Sequence, residues 1–509
     1  MPKRISVTIK YRRKLLICLM ILALAGCAVG PDFQPPEPKA PEGWHSLAKP
    51  GPAQASLTTP RPVNLVDWWQ AFNDPVLTSL MQMALSANLD LKLAEARIRQ
   101  ARATRGTVAS GFYPAIDATA FYRRSKSGSG SLNPAGGGGQ PSVGAVGGER
   151  SLFQIGLDAA WEIDIFGGVR RGIEAADADI RAAVEDRRDV LVTLAGEVGT
   201  NYLNLRGLQQ EIAIARKNLE SQKKTADITR RRFEAGYVSR LDLANADAQV
   251  ATTESQIPRL ESSAQAAIYT IGVLLGKEPA VLAKELAIHG PIPPNPPEVP
   301  VGLPSDILRR RPDIRRAEAQ LHAATARIGV AVADLFPRFS LTGSFGASGS
   351  KLSLLDARGS FWSYGPSVTW PIFDAGRIRW NIKVQDALQE QALLTYEKTV
   401  LTALKDVETA LVAHAKEQEQ RKSLAEAVTN NRQAVDLSMK LYLVGKTDFL
   451  NVLNAQRSLF VTEVALAQST RNLGANLVAL YKALGGGWEK HETLIDPRVP
   501  QIFQKRLGN

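Results

Sequence analysis

The sequence predicts a mixed α and β fold produced by internal duplication, with four β-strands and two exceptionally long helices in each chain. Three observations predict it. One residue pattern occurs twice, four segments alternate apolar and polar residues with a period of two, and two long stretches contain almost no helix-breaking residue. Each repeat is therefore expected to run helix, β-hairpin, very long helix, sharp turn and returning helix.

The composition is that of an ordinary folded protein and excludes several functional classes. The chain has 509 residues, of which 44% are hydrophobic and 22% charged, and its formal net charge is +12. Six Lys and Arg residues lie within the first 26 positions, so the remainder carries about +6, which is weak support for a nucleic-acid partner. Two Cys and five scattered His residues indicate neither a disulfide framework nor a metal site.

The N-terminus has the pattern of a signal peptide. Basic residues up to Lys14 precede twelve largely apolar residues, which are too few for a membrane-spanning helix. The sequence Leu-Ala-Gly-Cys that ends at Cys27 resembles the lipobox of bacterial lipoproteins, which implies cleavage before Cys27 and covalent lipid on its thiol. Ala28 in the next position implies the outer membrane. The alternative is an ordinary cleavage site followed by a chance cysteine.

Duplication organises the rest of the chain. An offset of 209 residues aligns Trp161, Gly236 and Leu241 with Trp370, Gly445 and Leu450, and an offset of 223 applies upstream of the insertion. The difference of 14 residues is a Gly/Ser-rich insertion within 125–148. We expect a signal peptide (1–26), an extended lipidated segment (27–75), a first repeat (76–289), a Pro-rich linker (290–304), a second repeat (305–488) and a C-terminal tail (489–509).

The long helices follow from the absence of helix breakers. No Gly or Pro occurs over the 68 residues from Arg377 to Val444, and the matching stretch from Ile173 to Ala235 contains no Pro. Such a helix would be on the order of 100 Å long and would need neighbouring helices to pack against. Gly236 and Gly445 are expected to end these helices, because Gly tolerates the left-handed backbone of a helix terminus.

The four alternating segments have the length of tilted transmembrane strands, about 10 residues. In 153–165 the apolar residues fall on one face and the polar residues on the other; 338–345 and 362–370 behave alike, and 113–122 is weaker. The alternative is a soluble two-layer sheet. Four strands cannot close a membrane barrel, and open edges are not tolerated in lipid. The sequence therefore predicts an oligomer, either a dimer with eight strands or a trimer with twelve.

The chain resembles the TolC-like outer membrane efflux proteins, specifically the NodT/OprM-type lipoprotein channels of resistance–nodulation–division (RND) pumps. The resemblance implies a homotrimer with a twelve-stranded outer membrane barrel, a long periplasmic α-helical barrel and an equatorial domain. It also implies a periplasmic membrane-fusion adaptor and an inner-membrane RND transporter as partners. The segments that carry it are 27–32, Trp68-Trp69, 72–75, 301–314, 454–459 and 480–488.

The same resemblance implies a periplasmic gate at the helix turns, where Gly236 and Gly445 would also face the adaptor. Plain helix packing is the alternative for Leu450 and Tyr442, and a helix-start acid is the alternative for Asp242. Asn451 and Asn454 stand where acids are usual, which weakens the case for cation selectivity. Arg231, Arg232 and Arg240 are expected as possible partners of Asp242. The predicted gate residues are Tyr442, Asp448, Leu450, Asn451, Asn454 and Asp242.

The function predicted from these features is a passive outer membrane duct that exports small molecules for a tripartite pump. The alternatives are a conduit for type I protein secretion and a lipid-anchored structural coiled coil without a pore. No nucleophile and base arrangement, metal site or phosphate loop is recognisable, so we expect no enzyme activity, no cofactor beyond the lipid on Cys27, and no nucleic acid. The run Arg309–Arg311 is interpreted as a structural ion-pair element.

Overall fold

The computed structural model describes residues 28–37, 41–46, 57–59, 65–126, 149–351 and 359–490. The signal peptide, Cys27, most of the Gly/Ser-rich insertion and most of the C-terminal tail lie outside these residues. Two compact units are formed. The hairpin unit comprises the described residues within 1–35, 100–180 and 319–393, and the helical unit comprises the described residues within 36–99, 181–318 and 394–509.

Helices account for most of the described chain. The helices are α1 (Pro75–Ala87), α2 (Leu89–Ala109), α3 (Gly168–Glu234), α4 (Arg240–Leu274), α5 (Ala283–Leu286), α6 (Pro304–Arg310), α7 (Pro312–Ala333), α8 (Arg377–Leu443) and α9 (Phe449–Ala483). The strands are β1 (Leu57–Thr59), β2 (Ala115–Lys126), β3 (Glu149–Ile163), β4 (Glu298–Pro300), β5 (Arg338–Gly349) and β6 (Ser360–Thr369). Short 3₁₀ turns lie at Trp68–Phe72, Ser110–Phe112 and Pro279–Leu282.

The predicted duplication is confirmed by the bounds of these elements. The helices α3 and α8 both contain 67 residues, and α4 and α9 both contain 35. Adding 209 to the bounds of α3 and α4 gives those of α8 and α9. Adding 223 to the bounds of β2 gives those of β5. The two long helices and the two hairpins expected from the sequence are therefore present.

The hairpin unit contains a four-stranded antiparallel sheet with the order β2-β3-β5-β6. The register places Leu157 opposite Phe345, and Phe345 opposite Trp362, so apolar side chains form rows across the sheet. Strand β2 joins this pattern with Ile116 opposite Ala159. Every residue of β2 is exposed, and Trp362 is 70% exposed. The soluble two-layer alternative therefore does not describe this sheet, because no second layer covers it within the described chain.

None of the described helices, taken alone, is long and apolar enough to cross a membrane. Helix α4 and residues Pro279–Leu286 pass that test only as a pair, and the pair is bent by 118°.

The core of the helical unit is aromatic and apolar. Trp68 and Trp69 are buried, and the Trp68 ring stacks on Tyr481 with 5.3 Å between centroids. Strands β1 and β4 add a small parallel sheet beside this core. Arg310 pairs with Glu489, and Arg311 bonds Asp313 at 2.7 Å. The ion-pair interpretation of Arg309–Arg311 is thus confirmed for two of its three residues.

Candidate functional site

The two predicted helix tips lie in the helical unit and share one backbone design. The first tip is the turn around Gly236, between α3 and α4, and the second tip is the turn around Gly445, between α8 and α9. Gly236 has φ +77° and Gly445 has φ +73°. The Tyr237 amide donates to the Arg232 carbonyl at 2.8 Å, and the Lys446 amide donates to the Leu441 carbonyl at 2.9 Å. Both Gly residues therefore end their helices as predicted.

The first tip is closed by a reciprocal cap at the start of α4. The Ser239 amide donates to Asp242 Oδ2 at 3.0 Å, and the Asp242 amide donates to Ser239 Oγ at 3.2 Å. This capping box satisfies two amides that the helix itself leaves unpaired. Asp242 thus acts as a capping residue at the start of α4, which is the alternative to a gate role that the sequence left open.

The second tip lacks that cap. Asp448 occupies the equivalent position before α9, but its side chain makes no capping hydrogen bond. Asn451 Nδ2 instead donates to Thr447 Oγ1 at 2.8 Å. Leu450 is 55% exposed, and Asn454 is also exposed. Leu450 and the two Asn residues are consequently available to contacts from outside this chain, whereas packing within the chain does not account for them.

Tyr442 belongs to the interior of the tips. Its side chain is 2% exposed, in a cluster with Ala226, Phe449 and Val452. The Tyr442 hydroxyl lies 3.4 Å from Thr229 Oγ1 on α3. Tyr442 therefore joins the second repeat to the first by packing, which is the alternative interpretation given to it from the sequence.

Arg232 is a residue of this site whose role the sequence did not reveal. Its Nη1 donates to the carbonyls of Tyr442 at 2.9 Å and Leu443 at 3.0 Å, and its guanidinium lies 4.7 Å from the Tyr442 ring centroid. Arg231 pairs with Asp227 at 2.8 Å. The expectation that Arg231, Arg232 and Arg240 accompany Asp242 is therefore wrong. Arg231 and Arg232 have other partners, and within the described residues Arg240 forms no ion pair with Asp242. We call the Arg232 contacts the tip clamp.

The hairpin unit holds the segment that follows Cys27. Buried Arg171 donates to the Val29 carbonyl at 3.1 Å and to Asp32 at 2.6 Å, and it pairs with Glu174 at 2.8 Å. Burial disfavours the charged form of Arg171, but its bonds to Asp32 and Glu174 outweigh this and raise its pKa. The Phe33 ring stacks on His322 at 4.3 Å. The extended lead is thereby fixed from Val29 to Phe33.

The sheet has the side-chain distribution of a membrane surface. Its apolar face exposes large residues that a water-soluble protein would cover, including Tyr364 at 78%. At the end where the strands meet the helices, Trp161 Nε1 donates to the Phe112 carbonyl and Trp370 Nε1 to the Leu335 carbonyl, both at 3.0 Å. Such anchored Trp residues are typical of a membrane–water interface.

An exposed apolar sheet face and two long helical hairpins are the features expected of a channel protein of the outer membrane type. The comparisons agree. The sequence pattern of the outer membrane efflux protein family matches residues 80–277 and 303–486. The chain belongs to this outer membrane efflux protein family, which is a family of channels and not of enzymes, and it functions in the outer membrane as a component of an efflux pump.

Several known proteins are similar along nearly their whole length. Nodulation protein T of Rhizobium leguminosarum bv. trifolii is 33% identical over 472 residues, covering 92% of this chain and 96% of its own. The pyoverdine export outer membrane protein OpmQ of Pseudomonas aeruginosa is 35% identical over 468 residues, covering 92% and 95%. The solved structure of the outer-membrane channel OprN has a TM-score of 0.80 at 37% identity and covers 91% of this chain and 100% of its own.

Proposed function

We propose that three copies of this chain form a passive duct that exports small molecules for a tripartite RND-type pump. Four strands from each copy would make a twelve-stranded barrel, continued by an α-helical barrel in the periplasm. A periplasmic adaptor would contact the helix tips, and an inner-membrane transporter would supply the energy for export. The observation that carries the proposal is the four-stranded sheet with one exposed apolar face and two edge strands, β2 and β6.

The edge strands explain why one chain is not enough to form a closed barrel. Among the strands that the structure describes, β2 and β6 each pair on one side only, so each presents unpaired backbone groups on the other. In lipid every such group costs several kcal/mol, and a closed barrel satisfies all of them. Pairing β6 of one copy with β2 of the next would remove the edges. We favour a trimer over a dimer because the resemblance of the sequence to the TolC-like channels implies three copies and therefore twelve strands.

The exposed residues of the second tip are proposed as the gate. In a threefold assembly Leu450, Asn451 and Asn454 would each form a ring, and the clustered exposure of these side chains supports that role. Neutral Asn rings attract cations less strongly than carboxylate rings. Asp448 is the one carboxylate between Leu441 and Gln456. We therefore propose weak cation selectivity for the duct, with Asp448 as its main source.

Lipid on Cys27 is proposed as a second membrane attachment. Multiple acyl chains would hold the chain at the membrane, and the ordered residues from Val29 to Phe33 would keep the attachment close to the hairpin unit. Cys27→Ser should abolish acylation while the barrel still inserts. Mass analysis of the purified wild-type chain without an acyl adduct would remove this part of the proposal.

The central experiment is reconstitution of the purified full chain in lipid. Light scattering should give three copies per particle, and planar bilayers should show pores that widen in a Leu450→Gly variant. Deleting the gene should sensitise cells to a dye or detergent. A monomeric, water-soluble protein would contradict the proposal, and assembled protein that never conducts, even with Leu450→Gly, would favour a structural coiled coil.

A further inference from the structure

The polar face of the sheet carries two aromatic side chains among side chains that, apart from Leu152, are polar or small. Phe121 on β2 and Phe361 on β6 share a face with Thr119, Asp158 and Ser344, as the strand register shows. No other aromatic residue occurs on this face within the described strands. Both lie toward the connections β2–β3 and β5–β6, at the end of the sheet away from the long helices. Their position is unexpected for a water-facing surface.

The backbone beneath Phe361 is shaped to receive its ring. Phe361 is opposite Gly346, which in turn is opposite Gly156. A Cβ atom on Gly346 would lie 2.7 Å from Phe361 Cζ, and one on Gly156 would lie 3.5 Å from the same atom. The ring therefore lies over Gly346 and Gly156 on two neighbouring strands, and a side chain at Gly346 would collide with both the ring and the Ile155 carbonyl. The Phe361 ring therefore packs against the polar face of the sheet and does not project away from it.

Two further features indicate that the aromatic rings on the polar face do more than fill the space above Gly346 and Gly156. Leu152, which occupies the position equivalent to Phe361 in the first repeat, is a third apolar side chain on this face, opposite Arg123. The Arg123 guanidinium lies 5.6 Å from the Phe121 ring centroid, so that ring already contacts a cation. Phe121 and Phe361 occupy the two edge strands, which closure between copies would bring together.

We propose that Phe121 and Phe361 form a distal aromatic collar at the outer end of the duct, which contacts planar apolar cargo and aromatic cations as they leave. The inference rests on the proposed function, because the polar face must line the duct. Ring faces attract cations and bury apolar surface without requiring a particular hydrogen-bond pattern. Such a collar would favour apolar and aromatic cargo over strongly hydrated solutes.

The collar can be tested by measuring how strongly tetraphenylphosphonium, added from the outer side, blocks the current through single channels. Phe361→Ala should weaken the block about fivefold, the usual worth of one exposed cation–ring contact, and Phe361→Trp should restore it. Trp362→Ala is the matched control, because Trp362 is the next residue and faces the opposite side of the sheet. An equal blocking constant in Phe361→Ala and wild type, with the same trimer yield, would overturn the collar and leave Phe361 a structural residue.

Cysteine labelling on intact cells separates failure of the collar from failure of the duct. A membrane-impermeant thiol reagent should modify Phe361→Cys, and tetraphenylphosphonium should protect it, whereas Trp362→Cys should stay unlabelled above the parent chain. Protected labelling supports the collar even if purified channels do not conduct. Unlabelled Phe361→Cys in correctly assembled trimers, or labelling that the cation does not slow, would refute it.

Discussion

The two helix tips have the same backbone and different supports. Gly236 and Gly445 end their helices with equivalent hydrogen bonds, but only the first tip has the Ser239–Asp242 capping box. The second tip instead receives the tip clamp from Arg232, a residue of the first repeat. The first tip is thus complete by itself, whereas the second tip is stabilised by its neighbour.

The difference shows that a duplication can produce one helix tip that is stabilised by its own residues and one that is stabilised by the other repeat. The position equivalent to Arg232 in the second repeat is Leu441, which cannot donate hydrogen bonds, so the clamp acts in one direction only. The Leu443 carbonyl is one of the terminal groups that a helix leaves unpaired, and Arg232 satisfies it. We therefore expect movement of the second tip to require that its contacts to the first tip are broken.

The largest expected effect comes from the buried ring of the second tip. Tyr442→Ala removes a side chain that is 2% exposed and should cost about 3–5 kcal/mol of local stability. Phe233, its equivalent in the first tip, is 36% exposed, so Phe233→Ala should cost far less. Hydrogen exchange of the amides between Met439 and Leu453 would measure the effect of Tyr442→Ala, and exchange between Arg230 and Ala244 would measure that of Phe233→Ala. Equal loss of protection in the two variants would contradict a difference between the tips.

A second asymmetry between the repeats predicts a pH effect. His414 is 1% exposed and occupies the position equivalent to Leu205, which is fully buried. Burial lowers the pKa of His414 to about 4, below its ordinary 6.5. The unfolded chain therefore binds the proton more readily, and stability falls as the pH drops from 6.5 toward 4, by about 3 kcal/mol in full.

The variant that tests this is His414→Leu, which copies the first repeat. It should remove the loss of helical stability between pH 6.5 and pH 4, followed as the midpoint of thermal unfolding by circular dichroism. Solvent-facing His45 offers a control, since His45→Leu also replaces a histidine by leucine but at an exposed position. A profile for His414→Leu that still matches wild type would mean that other groups dominate the acid response.

Sequence patterns predicted the helices and strands, but they did not predict which residues contact each other between elements. Periodicity and missing breakers place α3, α8 and the hairpins because those patterns act within one element. Arg232 meets Tyr442 across 210 positions, and Arg171 meets Val29 across 142, so spacing carries no sign of either contact. The contacts of Asp242 could have been predicted, however, because Ser239 three residues earlier forms a capping pattern with it within one helix start.

Removing the clamp should have the third largest effect. Arg232→Ala deletes two charge-assisted hydrogen bonds and a ring contact, worth about 1.5–3 kcal/mol together. We expect the second tip to exchange faster and the pore to open more often in planar bilayers. Arg230→Ala is the control, because Arg230 forms only an exposed pair with Asp247. If both variants conduct alike, the clamp does not restrain the tip.

The smallest expected effect tests the cap of the first tip. Ser239→Ala removes the acceptor for the Asp242 amide and should destabilise the start of α4 by about 1 kcal/mol. Asp448→Ala at the equivalent position should change the start of α9 much less, because the Asp448 side chain accepts no capping bond. Amide exchange over Arg240–Ala246 and Phe449–Ala455 compares them directly. A larger effect of Asp448→Ala would mean that Asp448 caps α9 in the assembled protein, and the second tip would then not depend on the first alone.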